Sequence, residues 1–175
     1  MYVRPEVERE IVLSACFVRV FVALEEYLEA AFGHYIMGGL SVAGWSPVVY
    51  AKPPTVDHAH GMFIGLQRFM DWSTPDQVRK LAKLYFANGD PFDAPLASSL
   101  QTILDMKTVR NAASHVSRTT TAPLDALYSR WTASPRRGVS AYEMILAQES
   151  KTSRSFLLHA ELTVSAVARQ IATHK

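Results

Sequence analysis

The chain has almost no cysteine. Cys16 is the single one among 175 residues, so no disulfide forms within the chain, and its apolar neighbours predict a buried, inert thiol. Charge is sparse as well: Asp, Glu, Lys and Arg make up 19% of the residues, below the usual quarter. Such a deficit is expected of a chain that hides part of its surface in a partner. The net charge of +2 gives no general attraction to nucleic acid, so any RNA contact needs a local positive field. The opening run Met1-Tyr2-Val3-Arg4-Pro5-Glu6 lacks the basic-then-apolar layout of a secretory leader. The longest apolar run, Ile11 to Leu24, is broken by Arg19 and is too short to span a bilayer. A cytoplasmic protein with no membrane partner is expected. Internal repeats and low-complexity tracts are missing too.

Full sets of metal ligands are also lacking. His58 and His60 follow Asp57, but two His and one Asp make an incomplete set with no further ligands at metal spacing. The expectation is no metal and no cofactor, with these histidines serving as ordinary loop or helix-start residues.

What the chain does have is apolar residues, 49% of the total, enough for one domain over residues 1–175 to bury a real core. Pro5 reads as a first-turn proline, and Glu6, Glu8 and Glu10 place negative charge where a helix N-terminus favours it. One long helix is predicted from there to about Tyr35. Its middle is apolar nearly all round, which predicts a central, buried helix. Gly33, Gly38 and Gly39 end it, and a long connection reaches about Gly61, with a short β-prone run at Val48-Val49-Tyr50.

A short helix is predicted over Gly61 to Trp72. Ser73-Thr74-Pro75-Asp76-Gln77 is a helix start with Thr74 as cap and Gln77 at the capping-box position. That helix runs to Asn88, where Asn88-Gly89-Asp90-Pro91 stops it. Arg79, Lys80 and Lys83 give it a basic side, more simply read as a solvated face than as an RNA contact. Further helices are predicted from Asp93, from Ala122, from Ser140 and over about Ser153 to Thr173. The fold class is therefore all-α: a helical bundle with a long central N-terminal helix and a long loop after it.

The helix that starts at Asp93 carries Arg110-Asn111-Ala112-Ala113-Ser114-His115 near its far end. Arg and His five apart recur at Arg154/His159 and Arg169/His174. The first pair differs in having Asn directly after Arg and small residues before His. Asn offers donors and an acceptor that orient a phosphate oxygen or fix the Arg. Ala112, Ala113 and Ser114 keep the surface low for an approaching helix or RNA strand. Five residues of helix give about 7.5 Å of rise and roughly 140° of rotation, so one copy does not close Arg110 and His115 into a tight unit. A twofold dimer brings two of each around one cleft.

The stretch from Val109 to His115 resembles the signature of the HEPN superfamily, small all-α domains marked by Arg, four to six residues, then His, often with Asn second. The resemblance implies a metal-independent endoribonuclease that works as a homodimer on single-stranded RNA, as a toxin or defence effector with a possible antitoxin or regulatory protein. The other role it implies is a non-catalytic module that binds nucleotide, RNA or protein. Carried over, Arg110 and His115 are catalytic and Asn111 assists. Ser114 and Arg118 beside the motif, and Arg136 and Arg137 in the basic loop Ser134 to Gly138, are candidate substrate contacts. One HEPN branch has a Tyr two residues after the His. Ser117 stands there in this chain, so control through modification of that Tyr does not apply.

Overall fold

The computed structural model describes residues 5–64, 70–115 and 117–175. Among them the fold is all-helical. The first helix, α1 (Pro5–Ile36), is 32 residues long, about 48 Å, and matches the expected span. Glu6 and Glu8 sit in its first turn and His34 in its last, each complementing the helix dipole. Two residues past its end stands Gly38, whose φ of 88° suits a residue without Cβ. There the Gly38 N–H reaches the Tyr35 carbonyl and the Gly39 N–H that of His34, both at 2.9 Å, which satisfies carbonyls the helix leaves unpaired.

After α1 come α2 (Val56–Ile64), α3 (Pro75–Tyr85), a 3-10 turn at Ala87–Gly89, α4 (Asp93–Ser98), α5 (Leu100–Ser114), α6 (Arg118–Thr132), α7 (Ala141–Leu146) and α8 (Phe156–Ala172). Part of the helix expected over Gly61 to Trp72 lies outside the described residues. The connection after α1 is tied down at Val48 to Tyr50. Val49 bridges to Phe86, Tyr50 N–H donates to the Tyr85 carbonyl at 2.9 Å, and Ala87 N–H donates to that of Val48 at 3.0 Å.

Two compact units divide the chain: Met1–Ala23 with Leu104–Thr163, and Leu24–Ile103 with Val164–Lys175. The second is built around Phe32, which is fully buried among Phe63, Trp72, Tyr85, Phe86 and Phe92. Tyr27 and Tyr35 donate their hydroxyls to the carbonyls of Ala168 and Ile171, each at 2.8 Å. Burial raises both phenols, Tyr27 to about 12. Lys83 and Arg79 of α3 both reach Asp93 Oδ1, at 3.0 and 2.8 Å. Burial opposes ionisation of Asp93, but the hydrogen bonds from Lys83 and Arg79 outweigh it and hold the carboxyl below the usual range. The basic side of α3 is thus partly committed to an ion cluster.

The first unit contains the motif. Phe17 and Phe21 of α1, Met106 and Val109 of α5, Leu124 and Leu127 of α6, Met144 and Ile145 of α7 and Phe156 of α8 are all buried. Phe156 meets Phe17 at 5.9 Å and the Trp131 ring edge-on at 5.2 Å. Ser140 accepts from the Glu143 N–H at 3.1 Å, and Glu143 Oε2 accepts from the Ser140 N–H at 2.9 Å. This is the capping box that starts α7, as Ser140 predicted.

Several expectations need correction. α1 is not buried all round: Ile11 and Val12 are each 61% exposed, and Cys16 is exposed rather than buried. Its buried stripe, Phe17, Phe21, Leu24, Leu28 and Phe32, follows three- and four-residue steps that favour one face only. The helix expected from Asp93 is broken at Ser99 into α4 and α5, where the Ser98 hydroxyl turns back to the Pro95 carbonyl at 2.9 Å and competes with the helical ladder. The helix expected from Ala122 starts earlier, at Arg118. The Ser117 N–H donates to Thr120 Oγ1 at 3.0 Å, so the polar turn caps a helix start. Finally, Thr74 does not cap α3 through its side chain, because its hydroxyl donates to Asp71 Oδ2 at 2.8 Å.

Candidate functional site

Helix α5 presents the motif at its C-terminal end. Val109 and Ala112 face the core of the first unit, three residues apart on one side of the helix. That packing leaves Arg110 half-buried beside the core and brings its guanidinium over the Phe21 ring, 5.6 Å from the centroid. An arginine there keeps its charge while its stem and planar head pack on apolar surface. Its Nη1 donates to Asn111 Oδ1 at 3.1 Å. Asn111 thus takes the second of the two roles its chemistry offered: it orients the arginine.

His115 lies just past α5, not inside it. Its N–H still reaches the Asn111 carbonyl at 2.9 Å, and its own carbonyl accepts from the Thr120 hydroxyl at 2.7 Å. The backbone is therefore tied to both α5 and the first turn of α6, while the side chain is exposed. Among the described residues, none hydrogen-bonds the imidazole. Ser114 ends α5 and Arg118 opens α6, both exposed.

Arg136 is differently placed. Its Nη2 pairs with Glu143 Oε1 and its guanidinium lies 5.8 Å from the Tyr128 ring centroid. The Glu143 carboxyl is held low by the Ser140 N–H and then by Arg136, so a phosphate would have to compete with a carboxylate already in place. Arg137 is exposed. Both arginines line a hollow of about 330 Å³ with Asp125 and Ser129. Asp125 in turn accepts from the N–H groups of Gly138 and Val139 at 3.0 and 2.9 Å and fixes the loop's course. Arg136 and Arg137 are therefore gathered around Asp125, while Arg110, Asn111, Ser114, His115 and Arg118 occupy the α5–α6 junction.

Sequence reasoning missed a cavity of about 270 Å³ beside the motif. Ala112 and Ala113 form one wall, Thr120 and Thr121 another, and Glu10 and Ser14 of α1 a third. Ser140 completes a set of hydroxyls that suits the hydrogen-bonding edge of a sugar or base better than a bare phosphate. The small side chains at 112 and 113 were the only signal of low surface there. Contacts from α1, about a hundred residues away, leave no local trace. Elsewhere, His58 accepts a helix-start role: Thr55 Oγ1 lies 2.7 Å from its Nδ1 and takes its N–H at 3.2 Å. His60 instead faces Glu29 at 3.7 Å. Among the described residues no group of three His, Cys, Asp or Glu could hold a metal ion, and no helix is long and apolar enough to cross a membrane.

Comparison with family models, with curated proteins and with solved structures gives no match to the chain.

Proposed function

We propose that this chain is a metal-independent ribonuclease of HEPN type, a cytoplasmic toxin or defence effector that acts on single-stranded RNA as a homodimer. The observation that supports it best is the pairing at the α5–α6 junction: an exposed imidazole on a doubly tied backbone, five residues from a guanidinium that Asn111 orients. RNA brings its own nucleophile. A neutral His115 takes the 2′-hydroxyl proton, and the oxygen attacks phosphorus. The bond from phosphorus to the 5′ oxygen then breaks, and a protonated His115 of the second copy gives that oxygen a proton. Arg110 neutralises the charge that gathers on the phosphoryl oxygens. Ser114 and Arg118 flank the scissile phosphate, and Arg137 is the freer of the two loop arginines to hold a neighbouring one.

A second reading rests on the hydroxyl-lined cavity at Ala112 and Ala113, which equally suits a non-catalytic nucleotide- or RNA-binding module. Product chemistry separates the two. With excess chelator, the ribonuclease leaves 2′,3′-cyclic phosphate and 5′-hydroxyl ends on RNA, and leaves DNA of the same sequence intact. A chain that retains RNA on a filter but yields no new ends is the binding module.

A further inference from the structure

We propose that the solvent-facing flank of the first five turns of α1 docks a second copy of this chain, antiparallel, around a twofold axis between positions 13 and 14. This goes beyond the ribonuclease reading and uses a different surface. Glu8, Ile11, Val12, Ala15, Cys16 and Arg19 are all exposed, and their spacing places them on one side of the helix. The opposite side holds buried Phe17 and Phe21, together with Glu10 and Ser14 of the motif cavity. On the exposed side, Tyr142 and Leu146 of α7 deepen the surface beside Val12 and Cys16 into a groove of about 510 Å³. Leu146 is itself 46% exposed. A continuous apolar strip of this kind is rare on a surface that meets only water.

The charges at its two ends choose the occupant. Glu8 and Arg19 are eleven residues apart, about 16 Å along the axis. Among the described residues neither has an ion-pair partner. Reversing the strip against itself sets Glu8 against Arg19 of the second copy, Ile11 against Cys16 and Val12 against Ala15, and the twofold axis repeats each contact. A parallel pairing would oppose like charges. Ala15 and Cys16 are small enough for the helix axes to approach to about 8 Å. Such a contact closes on itself after two copies. It leaves the motif flank open, so both contacts can coexist in one assembly.

The single cysteine makes the test specific. In this arrangement the two Cys16 Cα atoms lie about 11 Å apart, from roughly 7.5 Å along the axes and about 8 Å across them. A bifunctional maleimide of matching span is therefore expected to join two full-length chains at dilution. Glu8→Arg or Arg19→Glu, each placing like charges opposite twice, is expected to weaken association by about tenfold and to cut the cross-linked yield in step. The double variant restores both, while His115→Ala changes neither. Both side chains are exposed, so a melt unchanged in Arg19→Glu, and lowered by only a few degrees in Glu8→Arg, which gives up a favourable charge in the first turn of α1, confirms that the fold is intact. Absence of the covalent dimer, or a yield indifferent to charge reversal, overturns the proposal and leaves the ribonuclease reading standing.

Discussion

His115→Ala is expected to lower RNA cleavage by about 10²- to 10⁴-fold, the range for loss of a positioned proton-transfer group. The fold should survive the change. The bonds His115 makes are through its backbone N–H and carbonyl, to Asn111 and Thr120, and alanine keeps both. Its ring is exposed, so truncation opens no cavity. A thermal melt within a degree or two of the parent, beside lost cleavage in chelator, places the effect in the chemistry. Cleavage unchanged by the substitution would assign the activity to a contaminant. Arg110 is a less clean probe, since its guanidinium also packs on Phe21, and its removal would combine a packing loss with a catalytic one.

Phe32→Ala is expected to cost about 3–5 kcal/mol of folding stability, a large part of the roughly 5–15 kcal/mol that holds a domain together. Phe32 is 0% exposed. Phe63 and Phe86 stand 4.9 Å away, Phe92 5.1 Å and Trp72 5.6 Å by ring centroids. Rings meeting edge-on and tilted gain more than their area alone supplies, and the five rings around Phe32 collapse poorly into the space it leaves. Urea unfolding followed by fluorescence checks the value. Leu84→Ala is the control, because Leu84 is 69% exposed and should shift stability by less than about 0.5 kcal/mol. Equal effects from the two substitutions would contradict the placement of Phe32 at the centre of its unit.

The features legible in the sequence were those with local causes. Pro5 followed by acidic residues, and the glycines after Tyr35, bounded α1 closely. Ser140 marked the start of α7, and the structure adds the reciprocal bonds with Glu143, three residues on, that make the cap. Asn111 after Arg110 read as an orienting group, and its side chain does bond the arginine. What escaped depends on partners distant in the chain or on choices between near-equal local options. The apolar residues of α1 at Ile11, Val12 and Cys16 look like core until the neighbours of each face are known. Thr119, Thr120 and Thr121 are poor helix formers, yet they start α6 because Ser117 and Thr120 supply the cap. The Glu143 carboxylate against Arg136, seven residues away, could not be told from idle surface charge. The motif cavity needs α1, α5 and α6 brought together, which no short window of sequence contains.

Within one copy, Arg110 rests on Phe21 and Asn111, and His115 projects from the turn beyond α5. In the proposed ribonuclease, a guanidinium and an imidazole from different copies complete one cleft. Mixing inactive Arg110→Ala chains with inactive His115→Ala chains tests it most directly, by RNA cleavage in excess chelator after the copies have exchanged. Part of the cleavage should reappear in the mixture, because a heterodimeric cleft regains one arginine and the histidine that takes the 2′ proton, while the leaving 5′ oxygen draws its proton from water in place of the second His115. A mixture that exchanges subunits yet stays as silent as either variant alone would contradict a shared cleft.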